Sequence, residues 1–244
     1  MSLLDNEEFV IELAPLQNEE FRIVLSLPVT KEKMEQVLIQ LTGKKNGTEY
    51  AILDGRCPYF RITRHDEFPL LNKIAEIGTS FDAEKKLLLK NWCDHWQSGG
   101  CTDLTEIANA ALQIHKMFYI EGIKTFDDLG RALLVASEMD QQLNEIGNLP
   151  KVGNNIMDYL DYEAIGRDFD SRGNGTNYPM MEQDRVLGYV LDDSEVDPRM
   201  FSKEQVLDLD TQELVKQSHD YLKESLNQVP RRSKNQFRDI GLEK

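Results

Sequence analysis

No apolar run in these 244 residues approaches the roughly 18 to 20 that a membrane span needs, and mean hydropathy is −0.49, so a soluble chain is expected. Cysteine is scarce. Cys57, Cys93 and Cys101 are odd in number, and residues 1–10 carry acids in place of a secretion signal's apolar core, which points to a reducing cytoplasm. No serine, histidine and acid follow one another around a nucleophile elbow. The one glycine-rich stretch, Arg172-Gly173-Asn174-Gly175, lacks the lysine, hydroxyl and strand-to-helix context of a phosphate cradle. Cys93, His95 and Cys101 lie close together, but not as the paired ligand dipeptides of a structural zinc site. A fourth ligand would have to be distant, as Cys57 is, so buried thiols are the simpler reading. His65, His115 and His219 stand apart from one another, and His115 reads as a packed residue at a helix end. No internal repeat or low-complexity tract is found. These absences assign no catalytic residue, metal or cofactor, and the chain reads as a non-enzyme.

What is present is a 40% apolar fraction, enough for real cores, and a formal charge of −15. The acidity is regional. Residues 1–20 carry about −6, 21–90 about +3, 91–200 about −12, 201–230 about −3 and 231–244 about +3. Such a field repels nucleic acid and membrane surfaces and speeds encounter with basic surfaces, including channels built to hold DNA.

Pattern divides the chain into an acidic arm (1–20), a small α+β domain (21–66), a helical middle (67–150), a second small α+β domain (151–197), a helical extension (198–230) and a basic tail (231–244). The arm reads as irregular or as an edge strand. Residues 21–25 alternate and stop before Pro28, as a strand would. Thr30 is placed to cap a helix whose Met34, Val37, Leu38 and Leu41 make one stripe and whose end is Gly43. Residues 50–54 and 58–63 flank Asp54-Gly55 and read as a hairpin. Helical stripes follow at Leu70, Leu71, Ile74 and Ile77, then at Leu87, Leu88, Trp92 and Trp96. Helices are further expected at 104–112, from Thr125, at 156–165, from Ser202 and from Thr211, and a strand at 185–191.

Paired carboxylates are frequent, but scattered acids without histidine or aromatic neighbours suit a solvated face better than a catalytic one. Asp192, Asp193, Glu195 and Asp197 lack the glycine and distal glutamate of a calcium loop. Geometry offers a different use. Acids three or four apart on a helix sit roughly 5 to 6 Å apart, near the phosphate spacing along one DNA strand. The candidate phosphate-like acids are Asp103, Glu106, Asp127, Asp128, Glu138, Asp140, Glu145, Asp158, Asp161, Glu163, Asp168, Asp170, Asp192 and Asp193.

Three segments resemble the ArdA family of antirestriction proteins. Glu49-Tyr50-Ala51-Ile52-Leu53-Asp54, with Phe60-Arg61-Ile62 and Pro69-Leu70-Leu71-Asn72-Lys73-Ile74-Ala75, is similar to the pattern of the family's first domain. The run from Phe118 to Arg131 resembles the segment leading into the last domain. Tyr159-Leu160-Asp161-Tyr162-Glu163-Ala164-Ile165-Gly166-Arg167-Asp168 is the closest patch, and the resemblance spans about residues 20–191. It implies an elongated α+β chain of small domains, dimeric, non-enzymatic and without cofactor. It also implies a partner: family members occupy the DNA-binding cleft of type I restriction-modification enzymes on behalf of plasmids, transposons or phages. The slightly positive 21–90 stretch and the added ends depart from that pattern. They leave open another target, such as a CRISPR nuclease, and a protein-binding adaptor that does not imitate DNA. An enzyme with an unrecognised site is the third class.

Overall fold

The computed structural model describes residues 9–97, 103–136, 160–172, 177–182, 184–191 and 196–228. The protein is α+β, with small antiparallel sheets and helices in two compact units. The first unit takes residues 1–116 and 195–219, the second 117–194 and 220–244.

Unit 1 begins with a three-stranded sheet of β1 (Val10–Pro15), β2 (Ile23–Ser26) and β3 (Tyr50–Arg56), in the order β2-β1-β3. The sequence reading is corrected here, because the expected arm supplies the middle strand. Ile11 and Leu13, both 0% exposed, point into the core, while Glu12 between them faces out and accepts from Arg22 at 3.2 Å. Acids around so short an apolar alternation had masked it. The expected hairpin at Asp54-Gly55 is also corrected. Both residues stay within β3 opposite Glu12 and Ile11, and residues 58–63 form no strand. The register shift between Glu12 and Leu13 leaves Leu53 unpaired as a bulge. A Cβ at Gly55 would lie 2.8 Å from Ile62 Cδ1, so the glycine admits the returning segment against the strand.

Helix α1 (Lys31–Thr42) is capped as expected, Thr30 accepting from the Lys33 N–H at 3.3 Å and Gly43 closing it at φ 75°. Helices α2 (Phe68–Gly78), α3 (Ala83–Gln97) and α4 (Leu104–Leu112) bury the expected stripes. Trp96 is the exception at 40% exposure. The Phe68 N–H at the start of α2 donates to the Tyr50 hydroxyl at 2.9 Å, tying helix to sheet.

Unit 2 pairs β4 (Phe118–Glu121), β6 (Arg185–Leu191) and β5 (Tyr178–Glu182), with β6 in the middle. Only β6 was expected. β4 and β5 are short edge strands, and Pro179 in β5 is tolerated there because an edge leaves N–H positions unused. Two helices, α5 (Phe126–Ala136) and α6 (Tyr162–Arg172), complete the unit, and Ile123, Leu129 and Tyr189 form its core with Phe126, Leu133 and Phe169 packed around them. The helix expected over 156–165 is corrected: Leu160 and Asp161 are not helical, and α6 starts at Tyr162 and runs on to Arg172; residues 156–159 lie outside the described set.

The chain then returns to unit 1 through α7 (Lys203–Asp208) and α8 (Thr211–Gln228). Two amides, Asn109 on α4 and Gln113 just past its end, both 0% exposed, hold the returning backbone. Asn109 Nδ2 donates to the carbonyls of Pro198 (3.1 Å) and Phe201 (2.9 Å), and its Oδ1 accepts from the Phe201 N–H at 2.9 Å. Gln113 Nε2 donates to the Asp197 carbonyl at 2.8 Å, and its Oε1 accepts from the Asp197 N–H at 3.1 Å. Replacing Asn109 by leucine leaves at least two of these buried backbone groups unpaired at about 1–3 kcal/mol each. Asn109→Leu is therefore expected to destabilise unit 1 by about 3 kcal/mol or more, read as a lowered urea midpoint.

Past α4, the Ile114–Lys116 turn sets His115 against His219 on α8, rings stacked at 4.1 Å between centroids and 22° between planes. Desolvation, then His219, Lys116 and Lys85, push the His115 pKa down from 6.5 to about 4. A depressed histidine leaves stability intact above pH 6.5 and removes it as pH falls toward 4, because the unfolded chain takes up the proton first. Urea midpoints are expected to drop between pH 7 and pH 4.5, and His115→Gln is expected to flatten that slope.

Candidate functional site

The acids that sequence reading singled out lie mostly on two helices, so the packing of those helices decides where the charges stand. α5 and α6 cross at two glycines. A Cβ on Gly130 would come within 2.0 Å of the Tyr162 carbonyl oxygen, and one on Gly166 within 2.0 Å of the Phe126 carbonyl oxygen. Each glycine therefore receives the backbone that starts the other helix. The arginine after each glycine repeats the exchange. Arg131 Cζ lies 3.9 Å above the Tyr162 ring and Arg167 Cζ lies 4.8 Å above the Phe126 ring. Each arginine is also held from its own helix, Arg131 Nε donating to Asp127 at 2.7 Å and Arg167 Nε to Glu163 at 3.0 Å.

The two segments are one motif written twice: Thr125-Phe126-Asp127-Asp128-Leu129-Gly130-Arg131 and Asp161-Tyr162-Glu163-Ala164-Ile165-Gly166-Arg167. Cap, aromatic, acid, two residues, glycine and arginine recur in order. The reading that the chain holds no internal repeat is corrected at this scale, since seven positions, six matched by role or chemical class and only two by identity, escape a search for self-similarity. Glycine-arginine at a fixed distance after an aromatic-acid pair was the available signal.

Asp128 accepts from the Thr125 hydroxyl at 2.9 Å and from the N–H groups of Lys124 (3.1 Å) and Thr125 (3.0 Å). The hydroxyl, then those N–H groups, hold its carboxyl below the ordinary value. Asp161 caps α6 by accepting from the Ala164 N–H at 2.9 Å. Asp103 does the same for α4 through the Glu106 N–H at 2.9 Å. Asp168 pairs with Arg172 at 2.6 Å, and Glu106 lies 3.5 Å from Arg199. Asp170 accepts from the Tyr189 hydroxyl, and burial together with that carboxylate raises the phenol's pKa. The structure thus brings Asp127, Asp128, Asp161, Glu163, Asp168 and Asp170 together on unit 2, and places Asp103 and Glu106 on unit 1. Glu138, Asp140, Glu145, Asp158, Asp192 and Asp193 lie outside the described residues. The described acids do not form a bare row: each caps a helix or has an arginine or tyrosine partner.

Other candidates place as follows. Cys93 is 0% exposed, and burial pushes its thiol well above the ordinary range, whereas Cys101 lies outside the described residues. Among the described residues no group of three or more histidines, cysteines or acids is placed to hold a metal. No described helix is long and apolar enough to cross a membrane. Unit 1 carries an open cleft of about 420 Å³ over Phe60, Leu70 and Ile107. Its rim sets Arg61, His65 and Lys203 beside Asp66, Glu67 and Asp103, with Lys203 paired to Glu67 at 2.5 Å, so neither sign of charge prevails. The residues that sequence reading missed are positional: Gly130, Gly166, Arg131 and Arg167 at the crossing, and Asn109 and Gln113 in and just past α4.

Either glycine to alanine forces a methyl against a backbone carbonyl that cannot move without shifting a whole helix. Gly130→Ala and Gly166→Ala are each expected to destabilise unit 2 by about 3 kcal/mol or more while sparing unit 1. Hydrogen exchange measured separately over 118–136 and over 31–97 checks this.

The model of the antirestriction protein (ArdA) family matches residues 23–180. No curated protein matches the sequence. The matched span takes in the crossing of α5 and α6 with both copies of the glycine-arginine motif and stops short of the returning segment that Asn109 and Gln113 hold. Covering well over half of the 244 residues, it places the chain in the ArdA family of antirestriction proteins.

Proposed function

We propose that the protein inhibits restriction without catalysing a reaction, by offering its acidic surface in place of duplex DNA to the DNA-binding cleft of a type I restriction-modification enzyme. One observation carries this reading: a member of an antirestriction family concentrates about −12 of its −15 charge in residues 91–200. The described acids of that stretch support it. Asp127, Glu163 and Asp168 have side chains 46, 57 and 58% exposed, and Asp161 through Arg172 sets four acids against two arginines. The arginine pairings do not cancel such a role. Exposed i,i+4 pairs are weak, so a basic partner can share the same carboxylates at little cost.

A second reading, an adaptor docking through apolar contact, is favoured by the hairpin of β1 and β2, where Leu16, Phe21 and Val24 are 50, 45 and 65% exposed. Salt separates the two. Binding of the purified protein to a type I complex is expected to be displaced by cognate duplex and to weaken roughly 10³-fold between about 50 and 200 mM salt if six or more charge pairs form. Salt-tolerant binding that DNA does not displace would favour the adaptor.

Neutralising one acid should cost little. Converting Asp161, Glu163, Asp168 and Asp170 together to amides should weaken inhibition by about tenfold or more. Asparagine still caps a helix, so Asp161→Asn keeps α6 anchored and circular dichroism is expected to stay native. Abrupt loss of inhibition from a single amide would point to a discrete chemical site.

A further inference from the structure

Two arginines of the acidic 91–200 stretch are anchored more firmly than a surface ion pair requires. A solvated i,i+4 pair leaves both side chains free to swing, because its attraction in water barely offsets the rotamer freedom it costs. Arg131 and Arg167 each have a second anchor. Arg131 lies over Tyr162 and Arg167 over Phe126, each ring belonging to the other helix and standing one residue before that helix's acid, Glu163 or Asp127. From that seat Arg131 Nε donates to Asp127 at 2.7 Å, and Arg167 gives Glu163 two bonds, from Nε at 3.0 Å and from a terminal nitrogen at 2.5 Å. Arg172 is the contrast: it pairs with Asp168 at the same spacing, yet among the described residues no ring lies beneath it.

We propose that Arg131 and Arg167 are positioning residues for target binding, holding the carboxylates of Asp127 and Glu163 in fixed places so that a basic side chain of the target meets them already ordered. This role rests on the DNA-mimic reading and gives two positive charges a part in it. Counted as charge alone, an arginine on a surface offered to a DNA-binding cleft works against affinity, since it repels the target's lysines and arginines. Order works the other way. An unheld aspartate or glutamate loses its rotamer freedom at the moment of binding, whereas one already held loses little, and such preorganisation raises affinity without a new contact. Each carboxylate also keeps an open side, Asp127 and Glu163 being half-exposed despite their arginines. Lysine cannot take over the task. Its ammonium is a point charge on a flexible stem and lacks the planar fork that lets one group lie over a ring and donate to a carboxylate together.

The test compares the full chain with the double variant Arg131→Lys/Arg167→Lys, which changes no charge, and with Arg172→Lys. By carbon NMR relaxation the side chains of Asp127 and Glu163 are expected to gain motion in the double variant, while the backbone amides of unit 2 and the thermal melt stay as in the wild type. Affinity for a type I restriction-modification complex, measured at several salt concentrations, is expected to fall about fivefold or more with an unchanged slope against salt, because the charge pairs are kept and only their order is lost. Arg172→Lys should bind as the wild type does. Side chains equally ordered in both forms, an affinity that the double variant does not lower, a fall matched by a lowered melt, or an equal loss from Arg172→Lys overturns the positioning role and leaves mimicry standing. A wild type that does not bind the complex removes mimicry and this role with it.

Discussion

Unit 2 depends on how closely two backbones can approach. Where α5 and α6 cross, each glycine faces a carbonyl from the first residue of the other helix, at a distance no side chain could share. That closeness sets everything around it. It brings each arginine over the opposite helix's aromatic ring and turns the acid one turn before it toward its own guanidinium. Dispersion, cation–π attraction and ion pairing all operate at this seam, but each is a consequence of the glycines and none could substitute for them. The acids of α5 and α6 hold their places because the crossing fixes the helices.

This arrangement bears on what acidic surfaces can mean. A row of carboxylates on a solvated helix would repel itself and favour the unfolded chain. Here the same acids cap helix N-termini, where the macrodipole favours them, or hold arginines to their own helix. The charge is retained and the self-repulsion is reduced. An acidic protein can thus keep a strong external field while its helices gain from the groups that generate it.

The sequence disclosed those parts of the fold that depend on local chemistry. The Thr30 and Gly43 caps, the stripes of α2 and the strand at 185–191 each follow from residues within one or two turns, and each is where periodicity put it. Long-range features were hidden. β1 is central because β2 and β3 flank it, and nothing in residues 9–15 states that; Asp54-Gly55 has turn chemistry, but pairing with β1 keeps it extended. At the candidate site the acids were legible as residues and their partners were not, since an arginine four positions on becomes a fixture only when a ring from another helix lies beneath it. The resemblance to the ArdA family rested in part on the same glycine-arginine segments, which had been visible as letters before their shared geometry gave a reason for them.

The route of the chain has a further meaning for how the protein is made. Asn109 and Gln113 are synthesised with only the carbonyls of Thr105 and Asn109, one turn back, for their amides; their long-range backbone partners at Asp197, Pro198 and Phe201 arrive 84 to 92 residues later. At about 5–20 residues per second a ribosome needs roughly 4–18 s to deliver them. Residues 117–194 are all made in that interval, so the sheet of unit 2 with α5 and α6 can form while unit 1 still waits, its two amides short of their partners until the last fifth of the chain appears.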